Sequence, residues 1–379
     1  MTTPVTAAAG AREDAGRILD SSDAGVGARY KLNDIYCAAW LSHAVSAVVE
    51  HRVPDLLPAE GKVHYSELAA RANLHAPALY RVLRALSANG IFAAHDGGES
   101  FAHNPVSLLL RTDHPQSWSG MSRMWDHPSC LNAWLHHRQS LKDGRSGIEH
   151  AFGKPLYAHL ADYPEVTRAF SDAMISNSAH AADGIARQFP FAEYTSVVDL
   201  GGGVGTLLLQ ILRHHPHLQG TLFEIPELEE LSRQNIEAHH LESRCRFVRG
   251  DWFSYVPQGA DLYMVKNSLW NWNDEQCLTI MRNVRKAMST SGPATGGIGD
   301  SAQSGTTGSG RSPVFMIIEY VIDDLNQRWT TLYDLQILNM PGGRARTADE
   351  YRRLLEQAGF SLQSMHYVED QTLVIGVPA

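Results

Sequence analysis

The sequence predicts an α/β protein in two parts, with a mostly parallel sheet of seven strands in the second half and a mostly helical region before it. Three observations lead to this prediction. Apolar strand and helix patterns alternate from about residue 195 onward. Residues 197–205 read VVDLGGGVG, which is typical of a strand, a tight turn and a helix start. Residues 65–110 have a helix–helix–hairpin pattern, which indicates a winged helix.

Composition excludes several classes of protein. The chain has 379 residues, 44% hydrophobic and 19% charged, which fits two globular domains. Its net charge of −9 argues against nucleic acid or an anionic membrane as the main partner. No apolar run reaches membrane-spanning length and no secretion signal is evident.

Cysteine and histidine usage indicates neither disulfides nor a metal site. The four cysteines are scattered without a CxxC pair, which is typical of reduced thiols in a cytoplasmic protein. Nineteen histidines occur, but several form adjacent pairs, and neighbours in a helix do not share a face. HExxH is absent, so we predict no metal.

Patterning divides the chain into four segments. Residues 1–28 are small and polar, which predicts a flexible tail. Residues 29–180 form the predicted helical and winged-helix domain, and residues 181–379 form the predicted α/β domain. Residues 289–312 are a Gly/Ser/Thr-rich stretch that cannot pack a core and predicts a flexible loop.

The first domain begins with an apolar helical pattern over residues 30–57, which suits a core or a subunit contact. Ser66 is the predicted cap of the next helix. The helix after it has apolar residues at i, i+3, i+4 and i+7, namely Leu79, Val82, Leu83 and Leu86, and a stop at Gly90. The hairpin is predicted to turn at Gly97 and Gly98.

Many winged helices bind DNA, and that alternative can be weighed here. The second helix offers only Arg81 and Arg84 to read bases, and the whole chain is acidic. A scaffolding or dimerising role therefore fits better. Residues 105–180 are mostly helical and rich in Trp, Met and Phe, which indicates core packing together with some lining of an aromatic substrate pocket.

Seven strands are predicted in the second domain: SVVDL, GTLFE, CRFVRGD, DLYMVKN, VFMIIEYV, SLQSMHYV and TLVIGV. The last two are separated only by a short turn, so one strand of the sheet should be antiparallel. The helix before the sixth strand has a predicted capping box of Thr347 and Glu350 and ends at Gly359.

The glycine turn predicts a nucleotide-like ligand. Gly201, Gly203 and Gly205 permit positive φ and close approach of the backbone to a ligand. Glu224 ends the next strand, 23 residues after Gly201, where an acid can accept hydrogen bonds from ribose hydroxyls. The dinucleotide fingerprint wants glycine at its sixth position, but Thr206 stands there.

The DxGxGxG pattern resembles the S-adenosylmethionine (SAM) turn of methyltransferases. Over about residues 30–379, apart from the Gly/Ser insert, the chain resembles SAM-dependent O-methyltransferases of the caffeic acid/hydroxyindole type. The segments that carry the resemblance are LYRVLRAL, VVDLGGGVG, FEIPE, RGDWF, YMVKN and PGGRARTADEY. It implies a class I methyltransferase domain with a Rossmann-like seven-stranded sheet, a winged-helix dimerisation domain, a homodimer, SAM as cofactor and S-adenosylhomocysteine as product.

The resemblance also implies site residues. Asp251 matches the position that holds the adenine amine, Trp252 lies beside the ring, and Lys266 lies near the adenosine. The full implied cofactor set is Asp199, Gly201, Gly203, Gly205, Glu224, Asp251, Trp252 and Lys266. The expected acceptor-lining residues are Trp125, Phe170, Met174, Asn339 and Met340.

The catalytic positions depart from the family pattern. The family's general base is a histidine in an LHDW segment, whereas this chain has LWNW, with Trp270 at the histidine position and Asn271 after it. Indole has no basic nitrogen, so Trp270 cannot take a proton from a phenol. Of two flanking glutamates in the family, one matches Glu319 and the other matches Ala345. His127 is the candidate substitute acid or base, since an unperturbed imidazole titrates near neutrality; the alternative, which the sequence favours, is a surface or packing histidine.

Three interpretations remain open at this stage. The chain methylates a small aromatic or polyketide-like acceptor by proximity alone, on oxygen rather than carbon. Alternatively, it keeps SAM but catalyses hydroxylation, pericyclic or rearrangement chemistry, since LWNW resembles the LNW variants of anthracycline-type homologues. A catalytically silent dimer partner is the third interpretation.

Overall fold

A computed structural model describes residues 24–289, 312–324 and 327–379. Most of the expected N-terminal tail and of the expected Gly/Ser loop, residues 1–23 and 290–311, therefore lies outside the described residues. Residues 24–28 were also assigned to the tail, but they belong to the first helix, which begins at Ala24.

The chain divides into two compact units, Met1–Arg111 and Thr112–Ala379. The boundary predicted at residue 180 falls inside the helix Pro164–Gln188, which packs within the second unit. Residues 112–180 therefore belong with the sheet domain, and the first unit is shorter than predicted. None of the helices in the described ranges combines the length and the apolar character required to cross a bilayer.

The first unit has the predicted winged-helix order. In sequence it contains α1 (Ala24–Glu50), α2 (Val53–Leu56), β1 (Lys62–His64), α3 (Tyr65–Ala72), α4 (Ala76–Ala88), β2 (Ala93–His95), β3 (Ser100–Ala102) and α5 (Pro105–Leu108). The three strands form an antiparallel sheet in the order β1-β3-β2, and the turn Asp96–Gly98 joins β2 to β3 as predicted.

Apolar spacing explains the packing of α4. Leu79, Leu83 and Leu86 are buried in the core of the unit, and Val82 packs against it. The predicted cap of α3 was wrong by two residues. His64 caps this helix, because its Nδ1 accepts a hydrogen bond from the Ser66 backbone N–H at 3.3 Å.

The second unit alternates strands and helices after a run of six helices. In sequence it contains α6 (Ser119–Trp125), α7 (Pro128–Leu135), α8 (His137–Asp143), α9 (Gly147–Phe152), α10 (Leu156–Asp162), α11 (Pro164–Gln188), β4 (Ser196–Leu200), α12 (Thr206–His214), β5 (Gln219–Glu224), α13 (Glu229–Ala238), β6 (Cys245–Arg249), β7 (Leu262–Lys266), α14 (Asp274–Ser289), β8 (Val314–Glu319), α15 (Gln327–Asn339), α16 (Ala348–Gln357), β9 (Phe360–Val368) and β10 (Gln371–Pro378).

All seven predicted strands join one sheet in the order β6-β5-β4-β7-β8-β10-β9. Only β10 runs antiparallel to its neighbours, which confirms the prediction of one antiparallel strand. Strand order reverses between β4 and β7. In open α/β sheets, such a reversal leaves a ligand crevice at the carboxyl ends of the strands.

Alternate residues of each strand pack on opposite faces of the sheet, as the pleat requires. Val197 and Met264 face α11 and α12, whereas Val198 and Val265 face α14 and α16. Because both faces are covered, the strands read as continuous apolar runs. The predicted capping box of α16 is confirmed: Thr347 and Glu350 bond each other's backbone N–H groups.

Candidate active site

A cavity of about 310 Å³ lies at the carboxyl ends of β4, β5 and β7, where the strand order reverses. Helices α10 and α11 close its other side. Of the predicted site residues it is lined by Asp199, Gly201, Gly203, Glu224, Lys266, Asn271, Phe170 and Met174. The fold therefore brings most of the predicted cofactor set together with three residues assigned to the acceptor or to catalysis.

The glycine turn has the conformation that the sequence predicts. Gly201, Gly203 and Gly205 have φ of 64°, 61° and 86°, a region that favours glycine. Gly202 is needed for another reason, because a Cβ there would lie 2.3 Å from Oδ2 of Asp199. The turn can therefore stay close to β4 and leads into α12 at Thr206.

Glu224 ends β5 with its carboxylate against the glycine turn. Its Oε2 accepts from the Gly203 backbone N–H at 2.9 Å, and its Oε1 accepts from the Ile225 N–H at 2.7 Å. Burial raises the pKa of Glu224 to about 7, although these two hydrogen bonds favour the charged form. Each oxygen keeps a lone pair for a ligand hydroxyl.

Asp199 is the most buried carboxyl of the cavity, with 1% of its surface exposed. Its Oδ1 has no hydrogen-bond partner among the described residues. Burial and the nearby charge of Glu224 raise the pKa of Asp199 to about 7. A buried polar atom without a partner is costly, so this oxygen is suited to a ligand donor.

Lys266 and Asn267 follow at the end of β7. Burial lowers the pKa of Lys266 to about 8, opposed by the carboxyls of Asp370, Glu319 and Asp199. Its Nζ donates to Ser178 Oγ at 3.3 Å. The adjacent Asn267 has φ of 48°, and neither atom of its buried amide has a partner within the described ranges.

Asp251 and Trp252 lie outside the cavity lining. The Trp252 ring is close to the glycine turn, because a Cβ on Gly201 would lie 2.9 Å from it. Asp251 is exposed, and its carboxylate caps its own turn by accepting from the Phe253 backbone N–H at 2.9 Å and from Ser254 Oγ at 3.3 Å. Gly205 shapes the turn without lining the cavity.

The LWNW segment forms a 3₁₀ turn, Leu269–Asn271, which points two adjacent side chains in different directions. Trp270 is 8% exposed and stacks on Tyr320 at a centroid distance of 5.5 Å, with Tyr333 at 6.2 Å, outside the cavity. Asn271 lines the cavity and donates from Nδ2 to the Tyr157 hydroxyl at 2.8 Å. The sequence analysis placed both Trp270 and Asn271 at the catalytic position, but of the two only Asn271 lines the cavity.

The carboxylate of Glu319 fixes the backbone of this turn through hydrogen bonds. It is fully buried, and its Oε1 accepts three consecutive backbone N–H groups, from Ser268, Leu269 and Trp270, at 3.1, 2.9 and 3.3 Å. Burial raises its pKa to about 7 against these hydrogen bonds. Glu319 does not line the cavity, so the contacts give it a role in shaping the turn.

The PGGRAR segment also fixes this turn, through contacts of Arg346 and Gly343 with its backbone. The guanidinium of Arg346, which is fully buried, donates to the carbonyl oxygens of Leu269 at 3.4 Å and Trp272 at 2.8 Å, and to Asp274. Gly343 lies so close that a Cβ would be 2.1 Å from the Trp270 carbonyl oxygen. The turn therefore has little freedom to move.

Four predicted residues lie away from the cavity. His127 caps α7, with Nδ1 accepting from the Ser129 backbone N–H at 3.2 Å, and burial lowers its pKa. Asn339 is fully buried; it donates to the Leu335 carbonyl at 2.8 Å, and its Oδ1 is 3.1 Å from Nδ1 of His137. Trp125 and Met340 pack in the apolar cluster of α6, α7 and α9–α11. The structure does not bring these four residues to the cavity.

Sequence reasoning missed Tyr157 and Asn267, both of which line the cavity. A signal existed for Asn267, a polar residue directly after a buried strand at the edge that carries ligands. Nothing in GKPLYAHL marks Tyr157, because its partner Asn271 lies 114 residues away. In the part of the chain that the structure describes, no three His, Cys, Asp or Glu side chains are grouped to hold a metal ion.

The strand order, the glycine turn and the acid that ends β5 together define a class I methyltransferase domain. A family model of the O-methyltransferase domain matches residues 134–298, and a model of the O-methyltransferase dimerisation domain matches residues 33–113. The chain is 30% identical, over 88% of its length and 89% of the relative, to a mitomycin biosynthesis 6-O-methyltransferase of Streptomyces lavendulae. This chain belongs to the family of SAM-dependent O-methyltransferases.

The names of other similar proteins refer to different substrates. A phenazine O-methyltransferase of Lysobacter antibioticus is 29% identical over 86% of this chain and 88% of its own. A solved mitomycin 7-O-methyltransferase is 29% identical, with a TM-score of 0.80 over 94% of this chain and 99% of its own. An N,N-dimethyltransferase acting on 8-amino-8-demethylriboflavin, from Streptomyces davaonensis, is 30% identical over 87% of this chain and 89% of its own.

The residues present fit the family's cofactor. The cavity offers hydroxyl and ammonium donors the unpaired Oδ1 of Asp199 and the remaining lone pairs of the Glu224 carboxylate. Two buried carboxyls with raised pKa favour a positively charged ligand such as a sulfonium, because a cation nearby stabilises their ionised forms. The narrow glycine turn lets the backbone approach such a ligand closely.

Gly343→Ala tests the brace of the LWNW turn. The added Cβ would overlap the Trp270–Trp272 backbone, so we expect a loss of about 1–3 kcal/mol in the free energy of unfolding and a drop in acceptor turnover. Urea unfolding measures the first quantity. Gly153→Ala is the control, because its Cβ meets open space and only its positive φ of 73° costs stability, about 1 kcal/mol. Equal losses in the two variants would contradict the brace.

Buried carboxyls predict opposite effects of pH on stability and on SAM binding. The pKa of Glu224 and of Asp199 is raised in the folded state, so their contribution to stability is complete below the unfolded pKa of about 4 and is lost as the pH rises through about 7. We predict that SAM binds to the ionised form of both carboxylates, so its affinity should fall as the pH drops below 7.

Glu224→Gln separates these effects. We expect SAM affinity to fall about ten- to hundredfold by calorimetry at pH 8, while the unliganded variant unfolds at higher urea than wild type at that pH. Glu227→Gln, an exposed residue at the same cavity, is the matched control and should change neither quantity appreciably. A variant that bound SAM as wild type does would contradict the assignment.

Proposed function

We propose that this enzyme transfers the methyl group of SAM to a hydroxyl oxygen of a small aromatic or polyketide-like natural product, without a histidine base. The observation that carries the proposal is the composition of the cavity. It combines the glycine turn, Asp199 and Glu224 with an apolar wall on α11, and no imidazole lines it among the described residues.

The proposed cofactor contacts follow from the chemistry of each group. Glu224 accepts two hydrogen bonds from the ribose diol, and Asp199 accepts from a donor of the amino acid portion through its unpaired oxygen. Asp251 exchanges its own turn contacts for the adenine amine, and Trp252 lies beside the adenine ring. Lys266 lies near the adenosine. When bound, SAM supplies an activated methyl carbon on a sulfonium.

The acceptor is proposed to lie against α10 and α11. Phe170, Met174 and Ile175 give the cavity an apolar wall suited to a flat ring, and methionine adapts to varied shapes. The relatives' names fit this class, since they include mitomycin and phenazine O-methyltransferases. Oxygen is the proposed acceptor atom, although one relative is named as an N,N-dimethyltransferase.

Catalysis without a general base is energetically feasible. General-base help contributes about 10²–10⁴-fold, whereas proximity and orientation supply up to about 7–11 kcal/mol. The chain's own contribution is a rigid frame, in which Glu319 and Arg346 fix the turn that presents Asn271. His127 is not needed in this scheme, because its Nδ1 caps α7.

A second candidate is a SAM-retaining enzyme whose reaction is hydroxylation, a pericyclic step or a rearrangement. It is favoured by one observation: neither Trp270 nor Asn271 can take a proton, so no proton acceptor occupies the turn in which the family places its base. The cavity's charge balance would still favour a cationic cofactor that stabilises developing negative charge.

We also propose a homodimer located in the cytoplasm. Residues 30–40 of α1 include a set of exposed large apolar side chains, Tyr30, Leu32, Ile35, Tyr36 and Trp40, as expected of a subunit contact. The dimerisation-domain match begins at residue 33, inside that helix. All four cysteines are free thiols, which fits a reducing compartment.

Incubation with methyl-labelled SAM and a panel of hydroxylated aromatic and polyketide acceptors tests the proposal. We expect S-adenosylhomocysteine to form in step with O-methylated product, as followed by mass spectrometry. Turnover of an acceptor that requires SAM yet leaves it unconsumed would instead identify the second candidate. Failure of the pure folded protein to bind SAM at all would contradict both.

Trp270→His tests whether an imidazole at the family's position restores base catalysis. Because Trp270 faces Tyr320 and Tyr333 outside the cavity, we expect methylation to change less than about tenfold relative to Trp270→Phe. Trp270→Phe is the matched control, since it also loses the indole but adds no base. A gain of several hundredfold in the histidine variant over this control would show that proximity alone does not suffice.

A further inference from the structure

The strongest unexplained polar feature of the cavity is the pair Tyr157 and Asn271. Both line the cavity, and they are joined by a hydrogen bond of 2.8 Å from Asn271 Nδ2 to the Tyr157 hydroxyl oxygen. The Tyr157 ring stacks on Trp272 at 5.5 Å and 13°. The pair is therefore fixed in place, from α10 on one side and from the braced LWNW turn on the other.

Because Asn271 is the donor in this hydrogen bond, the O–H group of Tyr157 is available to donate to a ligand. The Tyr157 oxygen accepts from Asn271, so its own hydrogen points elsewhere, and within the described ranges it donates to no other group. An O–H group that accepts one hydrogen bond is a stronger donor in the next. The pair therefore presents one polarised O–H donor at the surface of a small, largely apolar cavity.

We propose that Tyr157 and Asn271 recognise the acceptor as its oxyanion, with the Tyr157 O–H donating to the nucleophilic oxygen. This inference rests on the proposed methyl transfer and deepens it by assigning the substrate class. The acceptor is a phenol or enol acidic enough to ionise in water, such as one conjugated to a carbonyl group, and it binds without its proton.

The pair cannot itself serve as the base. Burial and the charges of Glu224 and Glu319 raise the pKa of the Tyr157 hydroxyl, so it keeps its proton at neutral pH. An amide has no basic nitrogen. Preorganised donors in an apolar site instead stabilise a negative oxygen.

The charges around the pair limit which anion can enter. Asp199, Glu224, Glu227 and Lys266 line the same cavity, and Glu319 lies behind the LWNW turn. The carboxyls repel an oxyanion unless cationic charge accompanies it, from Lys266 and from the SAM sulfonium. We therefore expect acceptor binding to follow cofactor binding.

The bond changes balance without a protein base. An O–C bond forms between the acceptor oxygen and the methyl carbon while the C–S bond breaks, and its electron pair remains on sulfur. The acceptor's proton has already passed to solvent before binding. The pH profile of kcat/KM should therefore follow the acceptor's own pKa.

The experiment uses 4-nitrophenol, whose anion is coloured, bound to the full chain saturated with sinefungin, a SAM analogue in which an ammonium group replaces the methyl sulfonium, so that positive charge is present and no methyl transfer occurs. Wild type should lower the apparent pKa of the bound probe by about one unit, equivalent to tenfold tighter binding of the anion over the neutral form. Tyr157→Phe should abolish that shift, and Asn271→Ala should reduce it, with sinefungin binding unchanged.

Tyr163→Phe is the matched control, because Tyr163 follows the same helix, is exposed and does not line the cavity. This variant should lower the apparent pKa of the bound probe by as much as wild type does. Failure of the probe to bind, an unshifted pKa in wild type, or an equal shift in Tyr157→Phe would overturn the oxyanion assignment.

Turnover separates this inference from the proposed function. With a substrate found in the labelled-SAM assay, a kcat/KM profile that follows the acceptor's pKa across acceptors of graded acidity supports the assignment. A profile fixed at one enzyme pKa for all acceptors overturns it, even though methyl transfer itself stands. Absence of methyl transfer with SAM bound contradicts the proposed function instead.

Discussion

The site depends on the burial of carboxyls where the sheet ends. Asp199 and Glu224 lie at the carboxyl ends of adjacent strands, and burial holds the pKa of each near 7. In the free protein this arrangement is unfavourable at neutral pH, because burial removes water from the ionised groups and the charge of Lys266 offsets only part of that cost at Asp199. A cationic ligand with several donors relieves that cost. The two carboxylates therefore lower the stability of the free protein and raise its affinity for a cationic ligand.

A second constraint is the fixation of one short turn by distant residues. Glu319 reaches three N–H groups of Ser268–Trp270, Arg346 reaches the carbonyls of Leu269 and Trp272, and Gly343 leaves no space between. These contacts determine that Trp270 enters an aromatic cluster while Asn271 enters the cavity. The buried carboxylate of Glu319 therefore acts on the backbone of the turn rather than on a ligand in the cavity.

Local patterns sufficed for the sheet and for half of the site. Strand-like runs of five to eight residues predicted every strand of the large sheet, and the spacing of Gly201, Gly203 and Gly205 predicted a turn whose positive φ angles are as expected. These features depend on residues close in sequence. The direction of Trp270 does not, because residues 49 and more positions away set it.

Other errors share that cause. His127 and Asn339 were expected at the acceptor. Instead, their side chains form hydrogen bonds with backbone groups at the ends of helices, and a sequence pattern does not show which side chain will make such a bond. The domain boundary was misplaced because α11 continues without a break through residue 180. Tyr157 was missed because its significance arises only when α10 meets the LWNW turn.

The position of β10 has a consequence for synthesis of the protein. This strand lies between β8 and β9, although β9 comes before it in the chain. During translation β9 therefore emerges with no strand to pair with, and the sheet remains five strands wide until residues 371–378 leave the ribosome. Until then the aliphatic edge of β8 is open to other nascent chains, and protection by a chaperone would be most useful at that moment.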